Sequence, residues 1–446
     1  MSAGGGLVAE ASTLYTAPDT KPDFQILLYP LMTSDVHVTK DAPDALIIRS
    51  NLDSVIGGET SYDYYAELCH KKANVEIDVY PEGCHGWGFA DPRLMTRREL
   101  RKAGDFEEQL PNTREEVYST LERWLGVRPA RVEGIADKID GPDQVLMLYP
   151  NGQDAPDGLP GAEGPLESNG LTGPEVIEEW GMVTPGSGDN AKIELYFPEK
   201  PNGQLVIICP GGGYRNLNGL FCGTLAGNFF KSNGITCCIL KYRMPNGHKM
   251  VPLQDVWNTM RYCRHMADEW GIKQVGVMGS SAGGHLAAVA ATLYKDAVTR
   301  PDFSILLYPV TTFNTSITHG GTRLKYLGKD MTEEDIREFS AELHVTPDTP
   351  PTYFACSRHD RAVPCENFTV YQKALYNNNV PAEAHVYFEG THGWAFGSPY
   401  YLNALTRNNQ GIYCLDEKPG KVYGDDLHGC RQDFETSLLR WLGSLR

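Results

Sequence analysis

From about residue 192 onward, short apolar runs alternate with longer segments whose apolar residues recur at helical spacing. "KIELYFP", "QLVIICP", "ITCCILKY", "QVGVMG", "FSILLYP", "TYFACS" and "EAHVYF" are bounded by turn residues, the pattern of buried strands. Between them, "LQDVWNTMRYCRHMADEW" has helical spacing and "SAGGHLAAVAATLY" is rich in helix formers. Repeated strand and helix predict an α/β fold: a mostly parallel sheet, helices on both faces, right-handed crossovers.

The same pattern occurs earlier because the chain repeats itself. "SAGGGLVAEASTLYTAPDTKPDF" at 2–24 aligns without a gap on "SAGGHLAAVAATLYKDAVTRPDF" at 281–303, an offset of 279 residues. Further on, "YPEGCHGWGFADP" aligns with "YFEGTHGWAFGSP" at an offset of 307, which pairs His85 with His392 and Asp53 with Asp360. "LERWLG" and "LLRWLG" match again near the ends. Residues 1–127 therefore read as a partial copy, the second half of the unit that ends the chain. Residues 128–140 read as a linker, and 141–446 as a complete unit with an irregular, Gly/Pro-rich lead-in.

Length and charge narrow the function classes. The 446 residues suffice for more than one core, and a net charge of −17 with pI near 5.2 argues against nucleic acid or an anionic membrane as partner. No run of eighteen apolar residues and no secretory leader is visible. The eleven cysteines form no CxxC pair, and several lie in strand-like runs, so they read as small buried hydrophobes rather than as a zinc site or disulfide framework.

The chemistry concentrates around one serine. Gly279-Ser280-Ser281-Ala282-Gly283 follows the strand "QVGVMG" and precedes a helix, the setting in which G-x-S-x-G lifts a nucleophilic hydroxyl into a cleft. "CPGGGYRNLNG" follows an earlier strand, and its glycines let backbone N–H groups approach a developing oxyanion; Gly212 or Gly213 and Ala282 are the candidate donors. Asp360 in "SRHDRAVP" and His392 in "EGTHGW" lie beyond two later strands, in the order acid then base. His285 and His359 read as structural or supporting residues, Trp394 as packing or a cleft wall, and "KDMTEEDIREFSAEL" as a solvated acidic helix.

Taken together, "VIICPGGGY", "GVMGSSAGGHLAA", "SRHDRAVP" and "EGTHGW" resemble the α/β-hydrolase superfamily, and within it the bacterial esterase/lipase group that includes acetyl xylan esterases. The resemblance covers about residues 190–446. It implies an α/β-hydrolase fold and a serine esterase acting on acetylated plant polysaccharides or oligosaccharides, with no metal and no organic cofactor. It carries over Ser281, Asp360 and His392 as the catalytic triad and Gly212 and Gly213 as the oxyanion loop. A general carboxylesterase or lipase-like enzyme and a non-catalytic scaffold are the competing readings.

The first copy departs from that pattern. It has counterparts at Ser2, Asp53 and His85 but no preceding strand and no glycine loop, so it is expected to be silent by itself. Its span from Asp23 to Asp53 is 30 residues, against 58 from Asp302 to Asp360, the difference falling near "GGTRLKYLGKDMTEED". Met1 stands at the variable x of the elbow motif, which suggests a start inside a longer tandem protein; the alternative is a half-domain that packs on the second domain or on another chain. The location expected is cytoplasmic as the sequence stands, and periplasmic or secreted if the start is truncated.

Overall fold

The computed structural model describes residues 3–15, 20–32, 38–51, 53, 56, 59–81, 110–125, 140–152, 158–163, 168–171, 176–177, 182–184, 191–388, 392–395, 405–407, 413–415 and 430–446. Their main feature is one eleven-stranded sheet. In chain order its strands are β1 (Phe24–Leu28), β2 (Asp44–Ser50), β3 (Val75–Tyr80), β4 (Gln144–Met147), β5 (Lys192–Tyr196), β6 (Gln204–Cys209), β7 (Thr236–Lys241), β8 (Gln274–Ser280), β9 (Ser304–Leu307), β10 (Thr352–Ser357) and β11 (Ala382–Tyr387). Across the sheet they run β1-β2-β3-β11-β10-β9-β8-β6-β7-β5-β4. Neighbours are parallel except at β3/β11, β7/β5 and β5/β4. The central strands are buried along their whole length except at Gln274, the first residue of β8, as continuous apolar runs require when helices cover both faces.

One feature differs from the reading of the sequence. The lead-in expected to be irregular contributes β4, because "QVLM" pairs antiparallel with β5 at the outer edge. It is fixed there by Tyr149, whose hydroxyl donates to Asp255 (2.8 Å) and accepts from Asn258 (3.0 Å). The N-terminal strands extend the same sheet, in line with the alternative of a half-domain packed on the second unit: β3 pairs with β11, matching Val79 with Ala384, Asp78 with His385 and Ile77 with Val386. Asp78 and His385 are themselves aligned at the 307-residue offset, and the flanking pairs exchange across it. The junction therefore has local two-fold symmetry, the geometry of an isologous dimer interface built within one chain.

Helices follow this symmetry. The helices α1 (Ala3–Thr13), α2 (Glu59–His70), α3 (Leu110–Trp124), α4 (Met250–His265), α5 (Ala282–Thr292), α6 (Gly320–Leu327), α7 (Glu366–Asn377) and α8 (Cys430–Ser444) supply most of the covering layers. In α2 the buried positions Ser61, Tyr62, Tyr64, Tyr65, Leu68 and Cys69 recur at helical spacing, and the helix packs beside α7. Alternation in β2 separates two faces: Ala45 and Ile47 share a cluster with Tyr62, Tyr65 and Leu68, whereas Leu46 and Ile48 pack with Val117 and Leu121 of α3. On that second face α3 lies against α8. Full burial of each such Leu, Ile or Val contributes about 1.5–3 kcal/mol.

The segment between β9 and β10 carries α6 and a short helix Glu333–Glu338 closed by a Thr332–Asp335 capping box. Helix α5 is buried on all sides. Its Ala/Gly-rich sequence lets it lie close to β8, β9 and β6.

Candidate active site

Ser281 forms the sharp turn between β8 and α5, with φ 57° and ψ −121°. Such a conformation in a non-glycine residue costs about 1–3 kcal/mol and persists only where the surroundings enforce it. Here its N–H donates to the Leu307 carbonyl (2.9 Å), and its carbonyl accepts from His285 (3.0 Å) and Val310 (3.2 Å). The flanking glycines permit the tight packing. A Cβ on Gly279 would lie 2.0 Å from the Gly283 oxygen, and one on Gly283 would lie 2.1 Å from the Cys209 oxygen.

The three residues picked from the motifs meet here. His392 Nε2 lies 2.7 Å from Ser281 Oγ, and His392 Nδ1 lies 2.7 Å from Asp360 Oδ2. The carboxylate can only accept, so Nδ1 keeps the ring proton and donates it in a hydrogen bond to Asp360, which leaves Nε2 of the neutral ring free to accept from the serine hydroxyl. Asp360 is nearly inaccessible and is itself held by the N–H groups of Ala362 (2.8 Å) and Val363 (2.9 Å) on Oδ1. The Tyr308 ring packs edge-on against His392 at 4.9 Å and limits its tilt.

The glycine loop after β6 passes directly beside the serine, since a Cβ on Gly211 would lie 3.1 Å from Ser281 Cβ. Gly212 adopts φ 137°, where a side chain would strike the Asn216 carbonyl. Around a Cβ placed on Gly213 the space is open for 4 Å. Among the described residues, the N–H groups of Gly212, Gly213 and Ala282 donate to no protein acceptor. An arrangement of this kind can attack an acyl carbon with Ser281 Oγ, pass its proton to His392, and stabilise the oxygen charge with backbone N–H groups.

Other histidines have distinct surroundings. His285 is wholly buried; its Nε2 donates to the Phe339 carbonyl (2.8 Å), which leaves Nδ1 to accept from the Tyr214 hydroxyl (2.8 Å). Burial pushes its pKa down to about 4, with the Phe339 bond opposing. It braces Tyr214, the residue after the glycine loop, and does not reach Ser281 Oγ by a hydrogen bond. The His359 ring meets the edge of Phe388 at 5.0 Å. Trp394 is buried against Tyr387 and Phe434, so of the two readings offered it packs inward and anchors the His392 loop.

His319 and Tyr308 escaped the reading of the sequence. His319 caps α6, with Nδ1 2.7 Å from Thr322 Oγ1. Burial, and then positive charge at His392 and Arg215, push its pKa down, which puts it beside the site. The only sequence signal was its position before Gly320-Gly321 at a helix start; Tyr308, at φ 37°, had none beyond its strand end. A cleft of about 930 Å³ opens from the Tyr214-Arg215 loop toward Asn246, His248 and Lys325. Its lining mixes apolar side chains of Leu171, Met244, Leu324 and Leu327 with polar groups of Arg215, Asn246 and His248, and Ser281, Asp360 and His392 are not part of it.

In the N-terminal segment, Asp53 accepts from the Ile56 N–H (3.1 Å), the bond that Val363 makes to Asp360, and Tyr29 shares the positive φ of its aligned residue Tyr308 (36° and 37°). Ser2, His85 and nearly all of the expected linker lie outside the described residues. No cluster of metal-ligating side chains occurs among the described residues, and none of their helices is long and apolar enough to cross a membrane.

Residues 206–396 match the model of a family described as having an alpha/beta hydrolase fold, and the chain has that fold. An acetylxylan esterase of Xylanibacter ruminicola is 34% identical over 214 residues, covering 47% of this chain and 44% of that protein. An endo-1,4-beta-xylanase B of Butyrivibrio fibrisolvens is 32% identical over 232 residues, covering 48% and 35%. The chain thus spans less than half the length of these curated relatives. Among solved structures, an acetyl ester-xyloside bifunctional hydrolase of Caldicellulosiruptor lactoaceticus superposes with a TM-score of 0.47 at 26% identity, covering 58% of this chain and 89% of that one.

Proposed function

We propose that the chain is a serine-dependent carboxylic ester hydrolase that removes acetyl groups from xylan or xylan-derived oligosaccharides. Ser281 Oγ attacks the ester carbonyl while His392 Nε2 accepts its proton, and the imidazolium is stabilised by Asp360 at Nδ1. The tetrahedral oxyanion is bound by N–H groups of Ala282 and Gly212 or Gly213, each such donor contributing about 3 kcal/mol. His392 returns its proton to the sugar oxygen, which departs as an alcohol and leaves an acetyl-serine. Water activated by His392 then hydrolyses that intermediate to acetate.

One observation carries the chemistry: the unbroken chain Ser281 Oγ, His392, Asp360 at 2.7 Å per link, on a serine held in a strained turn beside a glycine loop. The substrate class draws on the names of the two curated relatives, both concerned with xylan; the cleft of about 930 Å³ beside the Tyr214-Arg215 loop is compatible with it, since Arg215, Asn246 and His248 offer polar groups to sugar hydroxyls on an otherwise mixed lining.

The test compares the intact chain with Ser281→Ala on 4-nitrophenyl acetate and on acetylated xylo-oligosaccharide. Loss of the nucleophile in a triad lowers turnover by about 10⁶, so Ser281→Ala is expected to be inactive on both. Activity on the nitrophenyl ester alone would leave a general carboxylesterase. Unchanged activity in Ser281→Ala would end the proposed mechanism.

A further inference from the structure

The proposed acid and base stand just past two strand ends, and the N-terminal segment holds both. Strand β10 ends at Ser357, ahead of Asp360, and β11 ends at Tyr387, ahead of His392. One residue past the first end, Arg358 Nη2 donates to the Cys69 carbonyl at the end of α2 (2.9 Å). One residue past the second, the Phe388 N–H donates to Glu76 Oε2 of β3 (2.9 Å). The two ends are also tied together, by Arg358 N–H to the Tyr387 carbonyl (2.7 Å) and by Phe388 against His359. Nearby, Cys365 Sγ lies 3.4 Å from Cys69 Sγ.

Glu76 is fully buried and has a rigid backing. Arg123 of α3 donates to both of its carboxylate oxygens and, through Nε, to Asp433 of α8 (2.6 Å). The local two-fold supplies a comparison within the molecule. Arg440 is aligned with Arg123, Glu383 with Glu76, and Glu116 with Asp433; Arg440 accordingly binds Glu383 and Glu116, each at 2.5 Å. The ion pairs are thus repeated, but the bond to the loop is not. The residue aligned with Phe388 is Pro81, which has no N–H to donate.

We infer that the N-terminal segment is a positioning element for the acid and the base: Glu76 holds the loop of His392 through the Phe388 N–H, and the Cys69 carbonyl holds the turn of Asp360 through Arg358. The inference rests on the esterase reading and adds to it a function for residues that contribute no group to the reaction itself. Proton transfer requires His392 within hydrogen-bond reach of Ser281, and a displacement of about 1 Å costs roughly 10²-fold in rate. The second strand-end contact matters because β11 would otherwise be an edge strand, with its loop supported from one side only.

The test uses the full chain and four variants, measuring kcat, KM and the acid limb of the pH profile with 4-nitrophenyl acetate, beside thermal melting. Glu76→Met and Arg358→Met are expected to lower kcat by about 10-fold or more with KM little changed, since orientation and not binding is lost. Glu76→Gln, which keeps an acceptor oxygen, is expected to retain most of the activity and rescue the profile. Glu116→Met removes a buried carboxylate from the symmetry-related cluster, so it is expected to lower the melting temperature while kcat stays at the parent value. A parent kcat in Glu76→Met, or an equal loss in Glu116→Met, overturns the inference. Should Glu76→Met fail to fold, Arg358→Met decides by the same criterion. Ser281→Ala separates the two levels: if it remains active the esterase reading fails, and if it is inactive while Glu76→Met and Arg358→Met keep the parent kcat, only the positioning role fails.

Discussion

The Asp78 carboxylate and the His385 imidazole face each other across the antiparallel junction of β3 and β11, Oδ1 to Nδ1 at 2.8 Å, at aligned positions of the repeat. A two-fold contact sets each residue on the axis against its own equivalent, so an identical pair would oppose like charges. This chain has an acid opposite a base instead. Burial drives the imidazole toward its neutral form, but Asp78 on one nitrogen and Glu383 on the other outweigh it and raise the His385 pKa to about 10. With the folded pKa above its ordinary 6.5, the stability this group contributes is complete below about pH 6.5 and is lost as pH rises through about 10.

His385→Asp would set two carboxylates against each other in a buried site, at a cost of about 3–5 kcal/mol. The exchange Asp78→His with His385→Asp restores opposite charges, with the new histidine two residues from Glu76 as His385 is from Glu383. Urea unfolding at pH 7 is expected to show the single variant strongly destabilised and the exchange partly recovered. Equal loss in both would mean that packing rather than charge governs the junction.

His285 has the opposite linkage. Its folded pKa of about 4 lies below the ordinary 6.5, so the unfolded chain takes up a proton first as pH falls. The stability it contributes is therefore present above pH 6.5 and is lost between there and pH 4, amounting to about 2 kcal/mol at pH 5. Unfolding midpoints at pH 7.5 and 5.0 should differ less in His285→Gln than in the parent. The same slope in both would place the acid sensitivity elsewhere.

Strain at Ser281 sets stability against activity. Ser281→Gly removes the proposed nucleophile and relieves φ 57° in a residue with a side chain, while adding the entropic cost of glycine. The net is an expected gain of about 1 kcal/mol, read as a rise in melting temperature, together with loss of hydrolysis. A lower melting temperature would show that the side chain's hydrogen bond to His392 outweighs the strain.

Much of the site was legible because its chemistry depends on local conditions. Glycines at fixed distances from Ser281 mark a turn where backbones nearly touch, and Asp360 and His392 follow strands that apolar runs reveal. His319 was not legible. Nothing near it in the sequence says that the chain between β9 and β10 returns to the cleft, and its lowered pKa arises first from burial in the fold and then from charges that lie 73 and 104 residues away, at His392 and Arg215.

By itself, the sequence determined the alternation of strand and helix, the elbow, the glycine loop, the order of acid and base, and the repetition of the last third of the chain at its start. These follow from side-chain period, backbone permissiveness and self-similarity, all of which are local or comparative. Only the tertiary structure decided that the repeated strands extend the same sheet, that Glu76 and Cys69 reach the loops of His392 and Asp360, and that Arg123 and Arg440 cross the junction as a related pair. An exposed strand edge can pair with many partners, and the choice among them is made by burial and charge summed over both surfaces, which residues 307 positions apart disclose only when they meet.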